Sequence, residues 1–153
     1  MNGVDQVEPH RAESHRLIQN QGRGLLIQGT REWTDYQVHA TITPYMIAQA
    51  GLAARVQGMR RYYALLLGKN GKARLVRELD GEKVLVEADS PCVPAVTYRL
   101  SLRVRGSCLQ ASVDGDVLFD VEDDEPLLNG GAVALICEEG CMATDSIRVQ
   151  PVG

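Results

Sequence analysis

YQVHATIT, residues 36–43, sets Tyr36, Val38, Ala40 and Ile42 on one side of an extended chain and Gln37, His39, Thr41 and Thr43 on the other. A strict period of two marks a strand with one buried and one wet face. YRLSLRVR, residues 98–105, repeats the pattern, with Tyr98, Leu100, Leu102 and Val104 against Arg99, Ser101, Arg103 and Arg105, and it runs on into Leu109, Ala111 and Val113. Between such runs stand turn dipeptides: Asn70-Gly71, Asp80-Gly81, Asp114-Gly115 and Asn129-Gly130, with Arg105-Gly106 and Glu139-Gly140 as weaker cases. Asn-Gly and Asp-Gly supply the positive φ angles of tight hairpins. The spacing predicts roughly eleven short antiparallel strands, a number suited to an all-β sandwich of two packed sheets rather than one open sheet.

Met46 to Leu67 competes with this reading, because its Ala, Leu, Met, Gln and Arg content favours helix. Gly51 and Gly58 weaken such a helix, and a break at Gly58 leaves two strand-length pieces, AGLAARVQ and RYYALLLG. Two strands are the preferred reading. Residues 1–15 are polar, contain Pro9 and lack periodicity, which predicts a flexible lead-in or linker, with the folded domain spanning 16–153.

The chain has 153 residues, enough for one hydrophobic core, and its formal net charge of −4 argues against wholesale nucleic-acid binding. No apolar stretch reaches the ~20 residues of a membrane-spanning helix, and the N-terminus has no apolar run like a secretory signal, so a cytoplasmic protein without a membrane partner is expected. Of 16 basic residues only Lys69, Lys72 and Lys83 are lysine. The arginines suit planar recognition of carboxylate, phosphate or paired sugar hydroxyls. Cys92, Cys108, Cys137 and Cys141 are too few and too irregular for a disulfide scaffold, so free thiols are expected. CEEGC, residues 137–141, leaves open a cross-strand disulfide over a tight hairpin.

The order WTDY, AGLAARVQG, RRYYALLLG, YRLSLRVRG with VDGDVLFD, then GGAVALICEEG with DSIRV resembles the concanavalin A-like lectin and glucanase superfamily of jelly-roll sandwiches. Within it the chain looks most like the jelly-roll domain appended to some bacterial ADP-ribosylglycohydrolase-family proteins, and more distantly like sugar-associated domains of the 3-keto-glycoside hydrolase type. The resemblance covers roughly Leu25 to Val149. It implies a jelly roll with one concave sheet and a hydrolase lying outside this chain. The motifs are framework motifs, which identify a fold more than an activity.

Glucanases of this superfamily carry E-x-D-x-x-E on one strand, and this sequence lacks it. Glu122, Asp123, Asp124 and Glu125 run consecutively before Pro126 and read as a solvated loop. GxSxG, P-loop, HExxH and Rossmann signatures are absent, so no enzyme is expected and no cofactor is implied. The resemblance implies one further group, a structural calcium, for which Asp145 is the position to test. A single visible carboxylate does not make the six to eight oxygens calcium wants, and Asp145 reads better as a turn or strand-edge residue. Trp33, the only tryptophan, reads as a structural plug beside Asp35 and Tyr36, with sugar stacking as the rival.

The expected function is a non-catalytic accessory module binding carbohydrate or a sugar-containing ligand such as ADP-ribose, associated with a hydrolase. The alternatives are a structural or oligomerisation domain and a glycoside-processing enzyme with an unrecognised site. The expected ligand face holds Arg55, Gln57 and Tyr62, extended by His39 and Thr41 from a neighbouring strand. This placement follows if a four-residue loop, Gly58 to Arg61, pairs Gln57 with Tyr62, Arg55 with Ala64 and Gly51 with Gly68. Small residues would then leave room for a ligand, or else admit another strand while Arg55 pairs with a carboxylate.

Overall fold

The structure, a computed structural model, describes residues 10–12, 15–29, 33–123 and 128–152, with side chains described from Arg23 onward apart from residues 145 and 146. Among the described residues there are eleven strands and no helix: β1 (His10–Ala12), β2 (His15–Gln28), β3 (Tyr36–Pro44), β4 (Gln49–Gly58), β5 (Arg61–Gly68), β6 (Lys72–Leu79), β7 (Glu82–Asp89), β8 (Tyr98–Arg105), β9 (Cys108–Val113), β10 (Asp116–Glu122) and β11 (Ala132–Pro151). Met46 to Leu67 thus contains two strands, as Gly58 predicts. β1 falls inside the expected lead-in and pairs with Ile147 to Val149; the rest of residues 1–14 lies outside the described residues.

The hydrogen-bonded order is β10-β9-β8-β3-β11-β4-β5-β6-β7, every pair antiparallel. β11 turns this path into a sandwich. Its first part, Ala132 to Glu138, pairs with β4, and its second, Met142 to Pro151, pairs with β3. β2 accompanies it on the other side through both parts. One leaf is therefore β11 with β4 to β7, and the other is β11 with β3, β8, β9 and β10. The passage lies at Glu139, where φ is 50°, and at Gly140, where the register against β2 shifts. A Cβ on Gly140 would lie 1.5 Å from the Met46 carbonyl oxygen, so only glycine lets the β3–β4 connection cross here. CEEGC is therefore a bend within one strand rather than a hairpin, and all four cysteines are free.

The core lies between the leaves. Tyr36, Val38, Ala40 and Ile42 of β3 and Leu100, Leu102 and Val104 of β8 meet Leu52 of β4, Leu65 and Leu67 of β5, and Val133 and Leu135 of β11. The alternation in residues 36–43 and 98–105 is realised residue for residue. Trp33 is buried in this core, with its ring edge-on to Tyr36 at 5.9 Å.

Candidate functional site

The outer face of the second leaf carries a groove of about 410 Å³. β3 contributes Gln37, His39 and Thr41, β8 Arg99 and Ser101, β9 Ser112, and β11 Arg148. Their juxtaposition follows from register: His39 lies opposite Ser101 on one side and Arg148 on the other, Thr41 opposite Arg99, and Ser101 opposite Ser112. Because the residues that flank them along each strand point into the core, the period of two sends all of them outward together. Ser101 and Ser112 are short, and Gly115 lines the groove where the β9–β10 hairpin turns.

Gln37 Nε2 donates to Ser101 Oγ over 2.7 Å, joining the two strands across the floor. His39 is partly buried, and desolvation, followed by the charge of Arg148, lowers its pKa below the ordinary histidine value. The ring is neutral near pH 7 as a result. Its Nε2 is shielded and has no hydrogen-bond partner among the described residues, an arrangement that costs about 1–3 kcal/mol when left unmet. Arg99 and Arg148 are exposed at the rim. Among the described residues no carboxylate lines the groove. Such a surface is equipped to accept and donate hydrogen bonds to hydroxyls and to hold an anion; among the described residues it has no Tyr, Phe or Trp ring for stacking.

His39 and Thr41 thus come together, but the expected face does not form around Arg55, Gln57 and Tyr62. β4 and β5 join through a two-residue turn, with Gly58 opposite Arg61, Ala54 opposite Tyr63 and Gly51 opposite Leu66. Arg55, Val56 and Gln57 bulge opposite Tyr62 alone. With φ at 51° Arg55 leaves the strand's alternation and turns into the protein, 1% exposed. Its guanidinium donates to the carbonyls of Thr34 (3.1 Å), Gly106 (2.6 Å) and Leu128 (2.9 Å) and to Asp35 Oδ1 (3.0 Å). Arg55 is a bracket for three connections rather than a ligand group. Gln57 donates to the carbonyl of Gly130 over 2.7 Å. Gly51 admits no ligand, because a Cβ there would lie 1.9 Å from the Leu65 carbonyl oxygen.

Tyr62 does face outward from the first leaf, but that face is filled by the protein itself. Arg23 donates to Tyr62 Oη (2.8 Å), Glu138 (3.0 Å) and Glu82 (3.1 Å), while Gln49 donates to Glu138 and Arg74 reaches Glu82 and Gln49. Beneath this network Ala53, Ala64, Leu66, Val76, Ala134 and Ile136 form a second buried cluster. Asp123, expected in a solvated loop, is buried as well. Arg77 Nη1 donates to both its oxygens (2.7 and 2.8 Å) and Tyr63 Oη to one (2.9 Å). Burial pushes the Tyr63 phenol up to about 12. Asp145 lies in β11 at a register shift between Thr144 and Ile147, and its side chain is outside the described residues. Among the described residues no three His, Cys, Asp or Glu gather as a metal site.

Sequence reasoning missed Arg99, Ser101, Ser112 and Arg148 as groove residues. Their outward direction is visible in the alternation, but their meeting with His39 depends on pairing strands about 60 to 110 positions apart in the chain.

No protein-family model matches the sequence, and no curated protein matches it. Solved structures do. Carbohydrate-binding module CBM66 from Bacillus subtilis superposes with a TM-score of 0.79 at 14% identity, over 94% of this chain and 92% of that one. A galectin from Caenorhabditis elegans superposes with 0.61 at 12% identity, over 88% and 95%. A β-fructofuranosidase from Aspergillus kawachii superposes with 0.68 at 11% identity, over 96% of this chain but 28% of the enzyme. At these identities the likeness defines the fold, a lectin-like jelly-roll β-sandwich.

Proposed function

We propose that this chain is a non-catalytic carbohydrate-binding module, and that a saccharide binds in the groove between β11, β3, β8 and β9. The observation that carries the reading is the convergence of Gln37, His39, Thr41, Arg99, Ser101 and Arg148 on one open groove, on a fold shared with a carbohydrate-binding module and a galectin. Directional hydrogen bonds from a few placed polar groups are how concave sites orient a polyhydroxylated ligand. His39 and Thr41 are ligand residues in this reading.

The module works beside a hydrolase. In support, the same fold makes up 28% of the β-fructofuranosidase chain, so it occurs as one part of a longer enzyme. Backbone amide titration by NMR with neutral sugars, acidic sugars and ADP-ribose tests the site. Shifts confined to β3, β8, β9 and the end of β11 are expected, with His39→Ala and Ser101→Leu reducing them. Shifts centred instead on Tyr62 and Arg23 would move the site to the first leaf. A concentration-dependent dimer without response to any sugar would replace the reading with an oligomerisation domain.

A further inference from the structure

The arginines of the two leaves are treated differently. Arg23, Arg55, Arg74 and Arg77, on the first leaf or between the leaves, each lie within 3.4 Å of a carboxylate. Arg99, Arg103, Arg105 and Arg148 all point outward from the second leaf, and none has an ion-pair partner among the described residues. Asp114 accepts the backbone N–H of Arg99 on Oδ1 at 2.8 Å rather than its guanidinium. A chain of net charge −4 thus keeps a row of arginines without ion-pair partners among the described residues on the face that carries the groove. Past Gln37, opposite Arg103, a second hollow of about 610 Å³ holds Arg103 and Arg105 but also Asp35 and Asp120, so the arginines without carboxylate neighbours in their groove are Arg99 and Arg148.

Resting on the saccharide reading, we propose that the ligand is an anionic sugar, its carboxylate, sulfate or phosphate held by Arg99 and Arg148 and its hydroxyls by Gln37, Thr41 and Ser101. Two features favour charge over neutral recognition. Among the described residues the groove has no Phe, Tyr or Trp ring to stack on a sugar face or a nucleobase, so apolar stacking does not supply the binding energy. Guanidinium forks, in contrast, match the planar two-oxygen edge of an acidic group. The serine floor lets a ring approach the sheet, and the neutral His39 does not compete with the arginines for the anion.

Matched sugars test this directly: galactose against galacturonate, galactose 6-sulfate and galactose 6-phosphate, and ribose against ADP-ribose, with inorganic phosphate alone as a further probe. At least one anionic member is expected to bind roughly tenfold more tightly than its neutral parent, the scale of one charge-assisted contact. The head group that wins identifies the source of the charge. Arg99→Gln and Arg148→Gln should each remove most of that preference, as should about 0.5 M salt, while Arg60→Gln in the distant β4–β5 turn keeps it. Both groove arginines are exposed, and unchanged circular dichroism would show that the variants fold. Equal affinity for the neutral and anionic members would overturn the anionic proposal and leave the saccharide site standing. Inorganic phosphate binding as tightly as galactose 6-phosphate would overturn the sugar's part in it. No binding by any probe would overturn both.

Discussion

A guanidinium that is 1% exposed survives in the interior because each of its three nitrogens meets an acceptor. Arg55 holds Asp35 and three carbonyls, and its own N–H donates to Tyr36 Oη at 2.6 Å. Removing it leaves these acceptors stranded, so Arg55→Met should cost about 3 kcal/mol of stability, read as a lower denaturation midpoint, with sugar binding intact. His39 makes the opposite kind of prediction. Its folded pKa lies below the unfolded value because burial and Arg148 oppose its charge. Below about pH 6.5 the unfolded chain therefore takes up a proton that the folded one refuses, and stability falls as pH drops through that value. Between about pH 7.5 and about pH 5.5 the protein should lose more stability than His39→Gln does, measured by urea titration of both. Thiol chemistry follows burial too. Cys108 is exposed, whereas Cys137 is buried and its thiol is pushed up to about 11 by desolvation and then by Cys141. A disulfide-exchange reagent should label Cys108 first and reach four thiols only after unfolding.

Glycines separate two kinds of strand position. Gly51 sits where a side chain would meet the β5 backbone, while Gly58 has open space around it. Gly51→Ala should thus destabilise by about 1–3 kcal/mol through overpacking. Gly58→Ala should be neutral or gain about 0.5 kcal/mol by restricting the unfolded chain; paired denaturation curves distinguish them. Strands and hairpins were legible because alternation and Asn-Gly or Asp-Gly chemistry are local: the turns at Gly71, Gly81 and Gly115 all have positive φ. The same cues misled where tertiary structure overrode them. Glu139-Gly140 resembles a hairpin turn, and Glu139 does take a positive φ, yet the chain does not reverse, because β2 pairs with it on both sides of the register shift. The β4 bulge was invisible because nothing in AGLAARVQ states that Arg55 prefers four interior acceptors to the outward position its alternation offers. That one bulge removed Arg55 and Gln57 from the expected site.

At the scale of the molecule, the groove exists only when β3 has β8 on one side and β11 on the other, which no local pattern in the sequence reveals. His39 and Thr41 were found because their strand is unambiguous; the arginines facing them were not, since pairing across so many residues is a property of the closed sandwich. Circular dichroism should show β structure with little helix. Both leaves should melt in one transition, because β2 and β11 belong to each. β11 is also the last strand in chain order, and it lies in the middle of the hydrogen-bonded path, between β3 and β4. During synthesis, then, ten strands leave the ribosome before the one that joins them, and neither leaf can close around its neighbours in the meantime. A chain truncated before Ala132 should remain open to protease, and one that includes β11 through Pro151 should be resistant. Synthesis of β11 thus sets the moment at which the two leaves can close on each other.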